Sequence, residues 1–381
     1  MKILVAGDFC SKNRVNPIIA EKGFYLLFNE VKPIICNSDF SIVNFEFPIV
    51  GKHSLPSPIK KCGPNLDGSI DSIDAIKYAG FEACTLANNH ILDQGEICCI
   101  HTKEYIEAAG LQTVGVGNNL QDASQILYTE KQGEVLAIIN CCEHEFSVAT
   151  EETAGANPLN PVRQFYQIQE ARTKADYVLV IVHGGHEHFQ LPSPRMQETY
   201  RFFIDAGADA VVNHHQHCYS GYEFYNGKPI FYGLGNFLFD WNSTKRTSWN
   251  EGFMLELDTK SSGKESYKLY PYVQCLEEPS IRLLGKEETA EFYKRIEELN
   301  EVIPEPSKLR AAVNDYYSQS SKGVLSMLEP YSGKVLGKLF ALGLLPRFVK
   351  GKKLTQITNY VACESHRDRL IYALEESIKK L

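Results

Sequence analysis

Short apolar runs of strand length alternate with stretches of helical periodicity through the first two-thirds of the chain. The runs Lys2 to Gly7, Phe40 to Phe45, Glu82 to Leu86, Gln112 to Val116, Val135 to Asn140, Tyr177 to Val182 and Ala208 to Val212 read as buried strands. Between them, Ile70 to Ala79 and Glu96 to Ala109 repeat apolar residues at the helical period. This alternation predicts an α/β fold. Asn226-Gly227, between Gly221 to Tyr225 and Lys228 to Tyr232, predicts a β-hairpin, because both turn residues tolerate positive φ. Beyond Tyr272 the pattern changes to segments rich in Glu, Lys and Leu, predicting helices over Lys286 to Leu299, Pro306 to Leu328 and Cys363 to Leu381. The chain thus divides into residues 1–275 and a helical C-terminal module, 276–381. A polar insertion, Glu143 to Pro161, is expected to lie over whatever site the strand ends form.

Composition narrows the class. The 381 residues are 44% hydrophobic and 23% charged, enough to bury a sizeable core. A net charge of −8 and a pI near 5.8 argue against non-specific nucleic-acid binding. Eleven cysteines, an odd number with no CxxC spacing, read as buried free thiols of a reducing compartment. The apolar run at Met1 to Asp8 is too short for a signal-peptide core, and no later stretch is long and uncharged enough to span a bilayer, so a cytoplasmic location is expected. Tyr331 to Lys353 has six basic residues, no acidic ones and the apolar run Leu339 to Leu345. It can contact a membrane surface or an anionic polymer, or pack as a buried amphipathic helix with its lysines solvated.

The candidate chemistry is concentrated at strand ends. Asn213-His214-His215-Gln216-His217 follows one predicted strand and His183-Gly184-Gly185-His186-Glu187-His188 another, so six of the eleven histidines close two neighbouring strands. In open α/β sheets ligands bind outside the carboxyl ends of the strands. Four further strand-end loops add oxygen and nitrogen donors: Gly7-Asp8, Asn44-Phe45-Glu46, Ala87-Asn88-Asn89-His90 with Asp93 and Gly95, and Leu234-Gly235-Asn236-Phe237. A site for two divalent ions needs a terminal carboxylate, a bridging carboxylate, neutral imidazoles and sometimes an amide oxygen. Asp8, Glu46, Asn89, His183, His215 and His217 supply that set. The plainer readings are that Asp8 caps a turn and Asn88-Asn89 forms an Asx turn. His186, His188 and His214 are expected to support the site rather than to ligate, and Asn236 to hold a loop near it.

The order of these motifs resembles the CapA family of capsule synthesis proteins, associated with poly-γ-glutamate and built on the calcineurin-like metallophosphatase fold. The resemblance covers roughly residues 1 to 260. It runs from Gly7-Asp8 through Asn44-Phe45-Glu46, Leu86-Ala87-Asn88-Asn89-His90, Asp93-Gly95, His183 to Glu187, Asp205 to Asp209 and His214 to His217, ending at Asn226 to Tyr232 and Gly235-Asn236-Phe237. It implies a four-layer αββα sandwich with a helical C-terminal extension. It implies that Asp8 and His217 hold one metal, that Glu46 bridges, that Asn89, His183 and His215 hold the second, and that His90 is the catalytic imidazole. Glu187 matches an acidic position of the pattern, placed to orient an imidazole or contact substrate. The ions would be divalent, as many as two, with manganese, iron and zinc all compatible with these ligands.

Three positions depart from calcineurin-like phosphatases: Cys10 stands where a histidine is usual, Glu46 replaces the bridging aspartate, and Asn88 replaces a glycine. The implied function is a metal-dependent hydrolase of a phosphoester in capsule or cell-surface polymer biosynthesis, acting on an anionic small molecule or polymer precursor. Two alternatives stand beside it: a non-catalytic polyanion-binding or assembly protein, and a γ-glutamyl amide hydrolase or transferase. CapA-like proteins often carry an N-terminal membrane anchor, whereas this sequence opens on its first strand, which fits a cytoplasmic variant handling a precursor.

Overall fold

The computed structural model describes all residues except 52–54, 62, 242, 262, 264–265, 326–334, 337–338, 340–341, 347 and 379–381. Two sheets form its centre. The first has eight strands, in the order β16 (Ile281–Leu283), β15 (Tyr267–Gln274), β14 (Glu251–Asp258), β1 (Lys2–Cys10), β2 (Phe40–Phe45), β3 (Ala83–Thr85) and β4 (Gln112–Val114), with β13 (Asn236–Phe239) also paired to β1. The second runs β11 (Tyr222–Tyr225), β12 (Lys228–Phe231), β10 (Ala210–His214), β9 (Tyr177–His183), β7 (Glu134–Cys142) and β6 (Leu127–Lys131). A small third pairing joins β5 (Val116–Gly117) to β8 (Gly155–Ala156).

Side-chain alternation along the strands makes the layers. On β1, Ile3 and Val5 face the second sheet in a core shared with Ile42, Ile138, Ile181 and Val212, while Leu4 and Ala6 face the opposite way into a core with Val15, Leu27, Ile73 and Ile106 from the outer helices. On the second sheet, Ile139, Val180 and Val211 face outward against Ile168, Met196 and Phe203 of the helices Pro161–Arg172 and Pro194–Asp205. Helices therefore cover the outer face of each sheet, giving the αββα sandwich. Each fully buried Val, Ile or Leu stabilises this arrangement by about 1.5–3 kcal/mol.

The parallel strands β1, β2, β3 and β4 of one sheet and β7, β9, β10 and β12 of the other bring their carboxyl ends to a common edge. The hairpin forms at Asn226 (φ +50°) and Gly227 (φ +76°) as the sequence predicts. The strand expected over Gln112 to Val116 is instead two, β4 and β5, broken at Gly115 (φ +97°). A Cβ there would lie 2.2 Å from Asn140 Oδ1, the atom that accepts the Ala87 N–H, so the chain turns to let that bond form.

The first sheet continues to Leu283, beyond the composition change near 275. The C-terminal helices Lys286–Val302 and Pro306–Leu325 put Phe292 and Ile296 into the core between the sheets, and Leu309, Val313 and Tyr317 onto the second sheet's outer face. Two further helices, Lys352–Ala362 and Glu364–Ile378, follow. Nine residues of the basic stretch 331–353 lie outside the described residues, and of its apolar residues Leu342, Leu344 and Phe348 are exposed. Among the described residues no helix is long and apolar enough to cross a membrane. Every described cysteine is a free thiol, and all but Cys36 are buried.

Candidate metal centre

The register of β1 shifts against β2 between Ala6 and Asp8, and against β13 between Asp8 and Phe9. Such a bulge re-aims the side chain that follows it. Gly7 is the inserted residue, and a Cβ on it would meet Gly235 O at 1.8 Å, so only glycine lets β1 approach the Gly235-Asn236 turn this closely. Asp8 is buried, with Oδ1 accepting from Asn44 Nδ2 at 2.8 Å and Oδ2 from the His215 backbone N–H at 3.2 Å. Asn44 Oδ1 in turn accepts from Asn88 Nδ2 at 3.3 Å and Thr85 Oγ1 at 3.4 Å, tying three adjacent strand ends together.

His183 and His214 are paired across β9 and β10. Beyond β10 the chain leaves the extended form, with His215 at φ +87° and His217 at φ +54°. The left-handed region costs a non-glycine residue about 1–2 kcal/mol. The curl sends the two rings to different neighbours. His215 Nδ1 lies 3.2 Å from His183 Nε2, whereas His217 Nδ1 lies 2.9 Å from Asn236 Oδ1 and its ring packs on Trp249 with centroids 4.7 Å apart.

Glu46 sits at the centre. It is fully buried, its Oε1 is 3.6 Å from His183 Nε2 and 3.8 Å from His217 Nε2, and neither carboxyl oxygen has a hydrogen-bond partner. Burial, then the charge of Asp8, pushes its pKa well above the ordinary value. Burial, then the neighbouring imidazoles, pushes His183 well below its own, and burial also lowers His217. Both histidines therefore favour the neutral, ligating form. Among the described residues, two groups of side chains that include Glu46 have donor atoms close enough to share an ion: Glu46, His183 and His215, and Asp8, Glu46 and His217. Asn89 adds its Oδ1 at 3.0 Å from His183 Nε2. All six residues proposed as ligands from the sequence thus meet at one place, with Glu46 common to both groups. An unpartnered buried carboxylate is expensive in a protein interior, and cations between it and neutral imidazoles remove that cost. The donor set fits divalent metals.

His90 lies one residue beyond Asn89, with Nδ1 2.6 Å from Asp93 Oδ2 and 3.0 Å from Lys61 Nζ, while Lys61 also pairs with Asp93. These contacts fix the ring through Nδ1. Glu187 is exposed on the loop after β9, near enough for its charge to act on Glu46. The other clustered histidines turn elsewhere. His186 Nε2 meets Tyr317 Oη at 2.8 Å, His214 Nε2 donates to Ala6 O at 3.0 Å, and His188 is exposed with its ring centroid 5.8 Å from that of Trp249.

Cys10, at the position where a further histidine ligand is usual, is buried in the core with Phe9, Phe45 and Phe47. Burial, then the charge of Glu46, raises its pKa well above the ordinary value, and its sulfur belongs to neither group of donors around Glu46. Sequence reasoning missed Lys61, Glu145 and Trp249. Glu145 carried a faint signal as an acid in the polar insertion; Lys61 and Trp249 carried none.

The family model described as bacterial capsule synthesis protein PGA_cap matches residues 2–241. The chain is 32% identical over 253 residues to the capsule biosynthesis protein CapA of Bacillus anthracis, covering 64% of this chain and 62% of that protein. It is 31% identical over 270 residues to the PGA biosynthesis protein CapA of Bacillus subtilis (strain 168), covering 70% and 69%. Among solved structures, a putative 5'-nucleotidase from Staphylococcus aureus in complex with α-ketoglutarate superposes with a TM-score of 0.43 at 14% identity, covering 78% of this chain and 58% of that one.

Proposed function

Since this chain belongs to the bacterial capsule synthesis PGA_cap family, we propose that it serves the synthesis of a capsule-type or poly-glutamate polymer as a metal-dependent hydrolase of an anionic phosphoester precursor. The observation that carries the reading is Glu46, a carboxylate with no exposure and two unpartnered oxygens set between His183 and His217. Asp8, Glu46 and His217 would hold one divalent ion, and Glu46, Asn89, His183 and His215 the other. Ions bound there would supply Lewis-acid charge and lower the pKa of water. Asp8, Asn44 and the His215 N–H fix one side of the centre, and Asn236 and Trp249 orient His217. His90, held through Nδ1 by Asp93 and Lys61, presents Nε2 to pass a proton to a leaving oxygen.

The test is elemental analysis after manganese loading and desalting, followed by turnover of a generic phosphomonoester and phosphodiester and of a γ-glutamyl amide. About two ions per chain and ester turnover abolished by His90→Ala support the reading, and amide turnover alone moves the substrate to γ-glutamyl bonds. Metal without any turnover favours a second reading, a non-catalytic holder of an anionic polymer. That reading is supported by Cys10, which withholds an imidazole from the Asp8 side of the centre.

A further inference from the structure

The C-terminal helix pair lies beyond the 2–241 segment that the family model matches, yet it grips three consecutive residues beside the metal centre. Glu143 accepts from Arg195 Nη2 at 2.8 Å, and that same nitrogen donates to Ser365 Oγ at 3.1 Å while Arg195 Nε donates to Asp368 at 2.9 Å. His144 is held by Glu364, its backbone N–H at 3.0 Å and its Nδ1 at 2.6 Å. Glu145 Oε1 accepts from Asn359 Nδ2 at 2.8 Å and lies 3.5 Å from His366 Nδ1. These partners cluster where the helix ending at Ala362 meets the one starting at Glu364.

The other oxygen of Glu145 faces the centre. Oε2 accepts from Asn89 Nδ2 at 3.0 Å and lies 3.8 Å from His215 Nε2. An asparagine side chain is nearly symmetric in shape, so what decides whether its oxygen or its nitrogen faces a cation is the partner of the other end. Glu145 accepts from the nitrogen, which leaves Asn89 Oδ1 toward His183 Nε2. We propose that Glu145 is a positioning residue for the ion held by Asn89, His183 and His215, and that the junction of the last two helices, through Asn359 and His366, sets Glu145 and so completes that seat. Resting on the two-ion reading above, the inference assigns the C-terminal third a part in metal binding. Among the described residues the Asp8, Glu46 and His217 seat shows no such link; its outer supports come from Asn44, Asn236 and Trp249.

The experiment is calorimetric titration of the metal-free full-length protein with manganese. Groups that orient a metal ligand typically contribute about 10–100-fold in affinity. Wild-type protein should take up two ions. Glu145→Ala should weaken one of them by about that factor and leave the other within about twofold, Asn359→Ala should weaken the same ion less, and Glu145→Gln, which keeps an oxygen for Asn89, should restore most of the loss. Two ions bound with wild-type affinity by both alanine variants, or equal weakening of both ions, overturns the inference while the two-ion reading stands. A wild-type chain that binds no manganese overturns both. Should Glu145→Ala fail to fold, Asn359→Ala on the helix side decides the matter alone.

Discussion

Replacing Glu46 by glutamine should make the metal-free protein more stable and the metal-loaded protein less stable, a reversal that ordinary core damage cannot produce. In the absence of cations the folded state must either bury an unpartnered charge or take up a proton, because burial raises the Glu46 pKa above its ordinary 4.5. A raised carboxyl pKa in the folded state gives stability that is fully present below 4.5 and is lost as pH climbs toward the folded value. Each pH unit of that climb costs about 1.4 kcal/mol, so at pH 7 the ceiling is about 3 kcal/mol. Glutamine keeps the shape, has no proton to gain, and removes this term.

Unfolding entropy for 381 residues is about 0.8 kcal/mol/K, so each kcal/mol moves the midpoint by about 1.3 °C. In a chelator at pH 7, Glu46→Gln should therefore melt up to about 4 °C above wild type, and the gap should close as the pH falls to 4.5. With manganese at a hundredfold excess over its dissociation constant, each ion adds about 2.7 kcal/mol to the wild-type protein, about 7 °C for two. The variant should lose most of that shift, because Glu46 belongs to both ligand groups. The assay is thermal melting of both proteins in chelator and in manganese across pH 4.5 to 8. A variant that melts below wild type in chelator and keeps the full manganese shift refutes the assignment of Glu46 as the shared ligand.

His90→Ala should lower kcat by about 10²–10⁴-fold on any ester the protein turns over while leaving metal stoichiometry at the wild-type value; loss of metal instead would make His90 a ligand. Asn236→Ala removes the oxygen 2.9 Å from His217 Nδ1, and should weaken the ion at Asp8 and His217 by about 10-fold or more with the other ion unchanged, read by the same manganese titration. Arg195→Ala leaves Glu143 buried without its guanidinium partner, costing about 3 kcal/mol or more in denaturant unfolding. Burial raises the Glu143 pKa, but the Arg195 guanidinium overcomes this and holds it at about 2, so the pair contributes stability above about pH 4.5 and loses it as pH falls toward 2. Protease sensitivity of the 352–378 helices should rise over that acid range in wild type and be high already at neutral pH in Arg195→Ala.

Much of the centre was legible because its residues are chemically conspicuous and lie where strands end. Asp8, Glu46, His183, His215 and His217 each follow an apolar run whose period already declared a strand, so the sequence located the carboxyl edge and the donor types together. What escaped was long-range or unremarkable in composition. Lys61 sits in a Pro- and Lys-containing loop and reaches Asp93 only because the fold brings two loops together. Trp249 is one of only two tryptophans, but nothing local places it against His217. The antiparallel strands β14 and β15 alternate clearly, Phe253, Leu255 and Leu257 on one face and Met254 and Glu256 on the other, yet they sit outside the strand-helix alternation that organises the rest and were passed over. Gly115 split a predicted strand through a contact with Asn140 that lies 25 residues away in sequence.

The backbone around the ligands explains how closely spaced residues serve two seats. Had Asn213 to His217 continued as a strand, His215 and His217 would point to the same face about 7 Å apart, both from one side of the centre. Positive φ at both positions turns one ring toward His183 and Glu145, the other toward Asn236 and Trp249. Strain of this kind persists only where surrounding bonds over-determine it. Here the His215 N–H is held by Asp8 Oδ2, and the His217 carbonyl accepts from Asn236 Nδ2 at 3.3 Å. Asp8 can reach that N–H because the bulge at Gly7 shifts it out of register, and Asn236 is in place because Gly7 lets the β13 turn come within contact of β1. One glycine thus links the carboxylate, the strained imidazoles and their outer support. A substitution at Gly7 should consequently disturb the Asp8 seat before it disturbs the sheets, since Ile3, Leu4 and Val5 keep their pairing with β2 and β14 upstream of the bulge.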